Sequence, residues 1–508
     1  MTLGAGGDAV SLTGDSAVTL SDAANFAVDA ISNDSGQAAI TLTLNNGDES
    51  VHTLTAGTTS LATASGQSLI VAGTANFNPG LLSDNGFSNL QLIKNGGPGE
   101  LILDQSNSEA GGLDGALLRV VSGTLSIVGG GGDLSPIATL GQGPQSAGLL
   151  IDGAAGKLRL GSTGALATTF ANSVLANESG TLEHTSAGTD ILGGSLTVAT
   201  GKSLTANIVA GGLNVNGVLN GPALVKTGGG TLKFTGPSTV NALNVSGGRL
   251  EFSGPLQGLS AFPTIAAGAT LALTSAATTN PLPGSSITLG PGTGTVELVP
   301  GALGAANVPI NLNGGTLGLA SASPLGYTVT ASGSSEVNVA GANSQLAALT
   351  FAPSATLTKS GGQLTLSSLI LNGAGDYKLS VTGSPLQLSA VTGPATASLT
   401  KTGAGTLILS GAQPYATLNA LAGVTNVNAA FTEGTATVNA NAAVNFSTSQ
   451  TLAALNIGAG GVVTLNASSA VAEFGAGVVE SAVVPEPGTL GLLVLGALGV
   501  LARPWRRL

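Results

Sequence analysis

The chain of 508 residues has a formal net charge of −11, no cysteine, 8% charged residues and 3% aromatic residues. Without cysteine it has neither disulfide bonds nor cysteine-based metal sites, and no basic patch marks a surface for nucleic acid. Its 79 glycines and 43% hydrophobic residues argue against disorder and against an ordinary globular core, and they favour stacked β-strands joined by tight corners.

The first part of the chain is predicted to consist of short strands and turns. Apolar and polar residues alternate at residues 40–44, and residues 45–48 have the composition of a turn. Residues 1–90 are therefore interpreted as an N-terminal β-rich segment that forms the first coils of a solenoid. Residues 1–30 lack the basic start and the apolar core of a secretory signal peptide. We expect such a signal to be encoded upstream of Met1.

From about residue 90 a short pattern recurs. Residues 226–236 read K-T-G-G-G-T-L-K-F-T-G, residues 401–411 read K-T-G-A-G-T-L-I-L-S-G, and looser versions begin at Lys94 and Lys359. Each combines a lysine, a glycine-rich corner and a strand with alternating side chains. The lysine is interpreted as a solvated corner residue with an architectural role. The residues that define the pattern are Lys94, Lys226, Gly228, Gly230, Thr231, Leu232, Lys359, Lys401, Gly403, Gly405, Thr406 and Leu407.

Strands recur at an irregular step of roughly twenty residues through the middle of the chain. Steps of 18 to 25 residues separate the first apolar residues of successive strands, Leu213, Leu232, Leu250, Leu271, Val296, Leu317 and Val337. Such a step suits one coil of a β-solenoid, in which each residue lies above its equivalent in the next coil. Residues 91–480 are predicted to form this solenoid, with a Leu, Val and Ile interior and outer ladders of Asn and Thr. Residues 321–327 and 391–397 are predicted loops.

The unit K-T-G-x-G-T-L-x-L-S-G resembles the autotransporter-associated β-strand repeat, also called the passenger-associated transport repeat. Residues 226–236 and 401–411 match it closely, and residues 94–103 and 359–366 match it in part. The resemblance implies an all-β fold, a right-handed parallel β-helix of the secreted passenger type. A fragment of an autotransporter passenger remains one alternative.

Residues 481–508 end in an apolar stretch followed by basic residues. Residues 488–502 carry no charge, and Arg503, Trp505, Arg506 and Arg507 follow. As a helix this stretch would be about 22 Å long, which is short for a hydrocarbon core of roughly 30 Å. The tail is predicted to form a short transmembrane helix at about residues 487–503. Trp505 would lie at the membrane interface, and the three arginines would act as a cytoplasmic stop.

Pro485, Glu486 and Pro487 stand directly before this stretch. The order of V-P-E-P, a short apolar segment and a terminal arginine cluster resembles the PEP-CTERM sorting signal. The resemblance implies that these three residues are recognised by an exosortase, a membrane transpeptidase-like cysteine protease of Gram-negative bacteria. It also implies an intermediate in the inner membrane, then export to the cell surface or an exopolysaccharide matrix. The prolines keep the segment extended, which suits a protease active site.

Two classes of function remain open. The expected function is a non-enzymatic structural or adhesive surface protein, and the alternative is a β-helix polysaccharide lyase or hydrolase. The densest ionisable group comprises Glu178, Glu183, His184 and Asp190. Because Glu183 and His184 are adjacent in a strand and face opposite sides, a solvated turn is preferred to an acid–base pair. We expect no cofactor, no metal and no nucleic-acid partner; an exosortase, the inner membrane and exopolysaccharide or another cell-surface matrix are the candidate partners.

Overall fold

The structure is a parallel β-solenoid of about 15 turns, and no helix occurs among the residues it describes. It is a computed structural model. It describes strands between residues 9 and 83 and at residues 472–474, and residues 91–465 apart from 97–99, 105–116, 130–148, 163–167, 171, 277–280, 283–285, 305–307, 322–323 and 432–435. The predicted sorting segment at residues 481–508, including its helix, lies outside the described residues.

Nine strands precede residue 90, and parallel pairing joins β2 to β4 and β4 to β7. They are β1 (Ala9–Leu12), β2 (Val18–Ser21), β3 (Ala30–Asn33), β4 (Ala39–Asn45), β5 (Val51–Thr53), β6 (Thr59–Thr63), β7 (Ser68–Gly73), β8 (Asn76–Asn78) and β9 (Leu82–Ser83).

Eighteen strands follow in the first half of the solenoid. They are β10 (Gln91–Lys94), β11 (Glu100–Asp104), β12 (Leu117–Gly129), β13 (Leu149–Ser162), β14 (Thr169–Phe170), β15 (Val174–Ala176), β16 (Thr181–His184), β17 (Thr189–Leu192), β18 (Leu196–Val198), β19 (Ser203–Ile208), β20 (Gly212–Val215), β21 (Leu219–Thr227), β22 (Thr231–Phe234), β23 (Ser238–Val245), β24 (Arg249–Phe252), β25 (Leu256–Gln257), β26 (Thr264–Ile265) and β27 (Thr270–Leu273). β7 pairs with β10, so the ladder crosses the boundary predicted between residues 90 and 91.

Twenty strands complete the described part of the chain. They are β28 (Ile287–Leu289), β29 (Thr295–Leu298), β30 (Ile310–Leu312), β31 (Thr316–Leu319), β32 (Pro324–Ala331), β33 (Ser335–Phe351), β34 (Thr356–Leu371), β35 (Asp376–Val381), β36 (Leu386–Leu388), β37 (Val391–Thr392), β38 (Ser398–Thr402), β39 (Thr406–Leu409), β40 (Thr417–Ala420), β41 (Val424–Val427), β42 (Thr437–Ala440), β43 (Ala443–Phe446), β44 (Gln450–Leu452), β45 (Ala454–Ile457), β46 (Val462–Leu465) and β47 (Ala472–Phe474).

A typical coil contributes three strand segments, and each segment pairs with its equivalent in the next coil. In the middle of the chain β18, β19 and β20 make one coil. The next coil has β21, which continues through the first corner and pairs with both β18 and β19, and β22, which pairs with β20. The side chains alternate between interior and exterior, as a strand with one buried face requires.

The predicted step of the solenoid is confirmed by the strand register. Each residue of the predicted series lies beside the next one in a parallel ladder, and each side chain is 0% exposed. The series is Leu213, Leu232, Leu250, Leu271, Val296, Leu317 and Val337. This column therefore forms part of one continuous apolar core.

Glycine is required at the corners where the chain turns against the previous coil. Gly228 has a φ of 74°, and a Cβ there would lie 2.3 Å from the carbonyl oxygen of Ile208. Gly403, its counterpart in the second close copy of the pattern, has a φ of 77°, and its Cβ would lie 2.4 Å from the carbonyl oxygen of Val381. Both the left-handed conformation and the close approach exclude a side chain.

The two predicted loops are partly wrong. Residues 321–327 include the start of β32, and residues 391–397 include β37. Proline was the reason for predicting a loop, but Pro324 is the first residue of its strand and pairs with Gln345 in the register. The first position of a strand tolerates proline because the missing N–H breaks little of the ladder.

Candidate functional sites

The four motif lysines are buried, so their interpretation as solvated corner residues is wrong. Lys226 and Lys401 are 0% exposed, and Lys94 and Lys359 are 1% exposed. Lysine is rarely buried to this extent unless its ammonium group finds partners. We refer to these four residues as the corner lysines.

Each corner lysine occupies a position that is apolar in neighbouring coils. Lys226 lies between Ala206 and Val245 in the ladder, and both neighbours are 0% exposed. Lys359 and Lys401 have buried apolar neighbours in the same way. The methylene stem therefore packs in the core column, and the ammonium group extends from it towards the corner.

The ammonium group of each corner lysine donates to a backbone carbonyl of its own corner, and those of Lys226, Lys359 and Lys401 also donate to a carbonyl of the next coil. Lys226 Nζ lies 2.7 Å from Thr227 O and 2.9 Å from Gly228 O in its own corner, and 3.1 Å from Gly247 O in the next coil. Similar bonds run from Lys94 Nζ to Gly96 O (2.6 Å), from Lys359 Nζ to Gly361 O (3.1 Å) and Ser384 O (2.5 Å), and from Lys401 Nζ to Gly403 O (2.6 Å) and Ala422 O (2.7 Å).

Burial weakens the proton affinity of these groups. It lowers the pKa of all four corner lysines from 10.5 to about 8, because the charged form loses its hydration. At neutral pH the ammonium form still dominates, and it supplies the donors that the corner carbonyls need.

His184 makes the same kind of contact in an earlier coil. Its Nδ1 lies 3.2 Å from Ala210 O in the corner of the next coil, and its Nε2 lies 2.9 Å from Asp190 Oδ2. Ser186 Oγ lies 2.7 Å from the same Nε2 and donates to the same carboxylate oxygen at 2.6 Å. His184 and Asp190 are 0% exposed, so a solvated turn is the wrong interpretation for them.

The Asp190 carboxylate also accepts a hydrogen bond from the backbone N–H of Thr168, at 2.8 Å. Burial alone raises the pKa of this carboxyl group. The hydrogen bonds from His184, Ser186 and Thr168 outweigh burial and hold the pKa below its ordinary value. The carboxylate therefore stays ionised inside the coil and connects β17 to the residue that precedes β14.

The structure separates the four ionisable residues that lie close together in the sequence. His184 and Asp190 meet in the interior, whereas Glu183 belongs to an ion-pair network on the outer side of its strand. Glu178 lies at the surface, where its carboxylate is 2.5 Å from Lys202 Nζ. The predicted opposite orientation of Glu183 and His184 is confirmed, and they do not form an acid–base pair.

Glu183 is held by residues from neighbouring coils. Its carboxylate lies 2.6 Å from Arg159 Nε and 3.2 Å from Lys157 Nζ, and it accepts a hydrogen bond from Asn207 at 2.9 Å. Arg159 also contacts Glu100, at 2.7 Å. Burial raises the pKa of the Glu183 carboxyl group, but these contacts outweigh it and lower the pKa below its ordinary value.

Sequence reasoning missed Ser186, which contacts both His184 and Asp190, and the pairing of Arg249 with Glu297. Ser186 follows His184 by two residues, which is the spacing of side chains on one face, and this spacing was the available signal. Arg249 is paired with Glu297, two coils later, through contacts of 2.6 and 3.0 Å. No local pattern connects residues that lie so far apart in the sequence.

The predicted outer ladder is confirmed in the last coils. Asn439 Nδ2 donates to Asn419 Oδ1 at 2.6 Å, Asn456 Nδ2 donates to Asn439 Oδ1 at 2.7 Å, and Asn419 Nδ2 donates to Thr400 Oγ1 at 3.1 Å. On another side, Asn445 Nδ2 donates to Asn426 Oδ1 at 2.8 Å.

Comparison with known proteins finds one family match, near the C-terminus. Residues 483–507 match the PEP-CTERM protein-sorting motif. No curated protein and no solved structure matches the chain. Among the residues that the structure describes, there is no helix with the length and apolar character needed to span a membrane. The motif indicates a protein that is exported through an exosortase and processed at the membrane before it reaches the cell surface.

Proposed function

We propose that this protein is a non-enzymatic structural or adhesive component of the cell surface. The observation that carries the proposal is the match of residues 483–507 to the PEP-CTERM protein-sorting motif. A β-solenoid is compatible with a surface protein, because its length presents one long, repetitive exterior.

The use of the ionisable residues supports a structural role. The corner lysines donate to backbone carbonyls, His184 pairs with Asp190 in the interior, and Glu183 pairs with Arg159 between coils. In each case a group that could act on a substrate is engaged in joining one part of the solenoid to another.

Several finer features belong to the same proposal. The lysine–glycine pattern is a passenger-associated type of repeat, the solenoid is right-handed, and the cell surface is that of a Gram-negative bacterium. An exopolysaccharide or another surface matrix surrounds the mature protein. The apolar tail crosses the inner membrane during export, with Trp505 at the interface and Arg503, Arg506 and Arg507 in the cytoplasm.

A triple replacement of Pro485, Glu486 and Pro487 by alanine tests the sorting step. Alanine favours helix whereas proline opposes it, so the apolar helix would extend into the recognition segment. We expect the variant to remain in the membrane fraction as a longer, unprocessed chain. The measurement is an immunoblot of membrane and surface fractions from cells that contain the exosortase.

The matched control is the double variant Glu480→Ala and Ser481→Ala, which lies just upstream of the matched segment. It should be processed and delivered like the native protein. If the triple variant reaches the surface with the same size and yield as the control, exosortase sorting is not the route, and the proposal loses its main support.

A further inference from the structure

The apolar core of the solenoid becomes partly exposed in the last described coil. Leu455 in β45 and Val463 and Leu465 in β46 are only partly buried, although each continues a column that is fully buried in the coil before. The preceding members of these columns, each 0% exposed, are Val438, Val444 and Phe446. A solenoid end with exposed core residues needs a segment that covers it, because each repeat relies on its neighbours to bury its apolar side.

The first strand segment of this coil already has a neighbour on the open side. β44 pairs in parallel with β47, which places Leu452 beside Phe474, and Leu452 is 0% exposed. Among the described strands, β45 pairs with β42 alone and β46 pairs with β43 alone, so each presents its other edge. A further coil therefore begins at β47, and the edges of β45 and β46 are the places where its next two segments would add.

The short connection after β44 indicates which residues would reach the edge of β45. A single residue separates β44 from β45, and the same connection after β47 would bring residues 476–479 beside β45. In this register Val479 would lie beside Ile457 in the core column, and Val478 would lie beside Asn456 on the outer side. An apolar residue would thus continue the core column, as in the earlier coils.

The third segment of the same coil would run into the sorting motif. In the last coils, connections of three, two and four residues join the second segment to the third, at residues 421–423, 441–442 and 458–461. Any of these lengths after Val479 starts the third segment between Ala482 and Val484, and a segment of four residues then includes Pro485. Proline has no N–H for the ladder, so the ladder ends at this residue.

We propose that residues 476–484 complete the end coil of the solenoid and cover the partly buried residues of β45 and β46. The folded body then ends directly at Pro485, and the sorting motif is the first part of the chain that leaves the ladder. An enzyme that binds the motif must therefore work directly against the last coil. This inference goes beyond the proposed surface role and does not depend on it.

The same chain, rather than a second copy, is the occupant that the structure favours. β47 already leads the chain to this end of the solenoid, so the next residues are held at the edge at a high effective concentration. A second copy would have to displace them from the edge. It would also lose translational and rotational freedom, a cost that a tethered segment has largely met.

A disulfide tests this register, because the chain has no native cysteine. Neighbours in register on parallel strands are about 4.8 Å apart, within the Cα range of a disulfide. We expect Asn456→Cys with Val478→Cys to form a disulfide within the purified full chain on mild oxidation. The matched control is Asn439→Cys with Val478→Cys, one coil lower in the same column, where a separation of about 9.6 Å prevents bridging.

Cleavage after glutamate makes the product easy to identify. Glu473 and Glu480 are the glutamates nearest to Val478 on either side, and Glu433 precedes them. The disulfide would therefore join residues 434–473 to residues 474–480. Mass spectrometry of the monomer band from a non-reducing gel should show this linked pair of peptides, and a reductant should separate it.

Two adjacent substitutions test which side of the segment faces the core. Val479→Asp would place a carboxylate against Ile457, so we expect several-fold faster amide hydrogen exchange in β45 and β46. Val478→Asp would place the same charge on the outer side, beside Asn456, and should leave this exchange close to that of the native chain. The alternation of a strand predicts opposite results for two neighbouring valines.

Three results would overturn the proposal. The first is an Asn456–Val478 disulfide yield no higher than that of the Asn439–Val478 control, and the second is an equal effect of Val478→Asp and Val479→Asp on exchange. The third is a disulfide-linked dimer from Asn456→Cys alone, without an internal disulfide in the double variant, which would assign this end to a second copy. All these measurements use the purified chain without an exosortase, so their outcome is separate from the test of export.

Discussion

At the scale of single residues, the corner lysines show how a charged side chain can belong to a core. The stem of Lys226 continues an apolar column, and its ammonium group donates to three backbone carbonyls, two in its own corner and one in the next coil. Buried carbonyls without partners cost free energy, so the charge is retained where it has acceptors from two coils.

Replacing Lys226 by methionine tests this role. Methionine keeps the apolar stem, but Thr227, Gly228 and Gly247 lose the donor for their carbonyl oxygens. We expect the local free energy of opening to fall by about 1–3 kcal/mol. The measurement is amide hydrogen exchange at residues 227–230 and 246–248.

Lys233→Met is the matched control for this substitution. Lys233 lies in the same repeat on the outer side, where its Nζ is 2.9 Å from Glu251 and its side chain is 35% exposed. A surface ion pair of this kind contributes at most about 1 kcal/mol. Equal effects of the two substitutions would contradict a special role for the buried lysine.

The corner lysines also predict a pH dependence. Burial lowers their pKa to about 8 from 10.5, so between these values the unfolded chain binds more protons than the folded chain. The free energy of unfolding should therefore rise as the pH rises through this window. A neutral amine keeps two N–H donors, which suffice for the two carbonyls that Lys401 contacts.

Urea unfolding between about pH 8 and pH 10 measures this effect. The midpoint of the native chain should move to higher urea concentration as the pH rises. A variant with methionine at all four corner lysines should lack that part of the rise. A native midpoint that falls with pH across the window would contradict the lowered pKa of these lysines.

At the scale of structural elements, the sequence predicts the backbone turn of the corner but not the contacts of the lysine side chain within it. The glycines of the pattern predict a tight turn, and Gly228 and Gly403 have the positive φ that such a turn requires. The partners of the lysine could not be predicted, because Gly247 is 21 residues from Lys226 and lies in the next coil. Because lysine usually lies at the protein surface, the corner lysines were predicted to be solvated, whereas they are buried.

Two neighbouring glycines in one corner give a sharp test of its geometry. Gly228→Ala combines a φ of 74° with a Cβ 2.3 Å from Ile208 O, so it should destabilise the corner by more than about 1 kcal/mol. At Gly229 the nearest atom to a Cβ is Val209 O, at 3.7 Å, which is ordinary contact. Gly229→Ala should therefore be neutral or slightly stabilising.

Thermal unfolding of the two variants, each compared with the native chain, measures the difference. A destabilisation by Gly229→Ala as large as that by Gly228→Ala would mean that loss of glycine flexibility in general, and not the left-handed corner, is responsible.

At the scale of the whole molecule, the fold followed from a single series of residues. The steps from Leu213 to Val337 gave the register of the third strand segment through seven coils, because an apolar residue must lie above its equivalent in a continuous core. The contacts of His184 and Asp190 could not be obtained in this way, since a turn between two strands brings them together. Periodicity predicts columns but not the pairs made inside a corner.

Because contacts between neighbouring coils hold a solenoid together, a destabilising substitution in one coil should affect mainly the coils next to it. Lys401→Met removes contacts to Gly403 and Ala422, so we expect faster hydrogen exchange in β38 to β41. Coils more than about two steps away, such as those with β16 to β20, should keep their native protection, because each repeat contacts only its neighbours. Uniform loss of protection along the chain would show that the solenoid opens as one cooperative unit.

The variable step between coils makes the solenoid extensible. Between Leu271 and Val296 the step is 25 residues, against 18 between Leu232 and Leu250, yet both pairs lie in the same register. The ladder of this strand segment keeps its register across both steps, so the extra residues lie outside that ladder. The coil that receives an inserted foreign peptide would fix the position of that peptide along the solenoid axis. Several epitopes could therefore be presented at chosen distances from one another by inserting them into different coils.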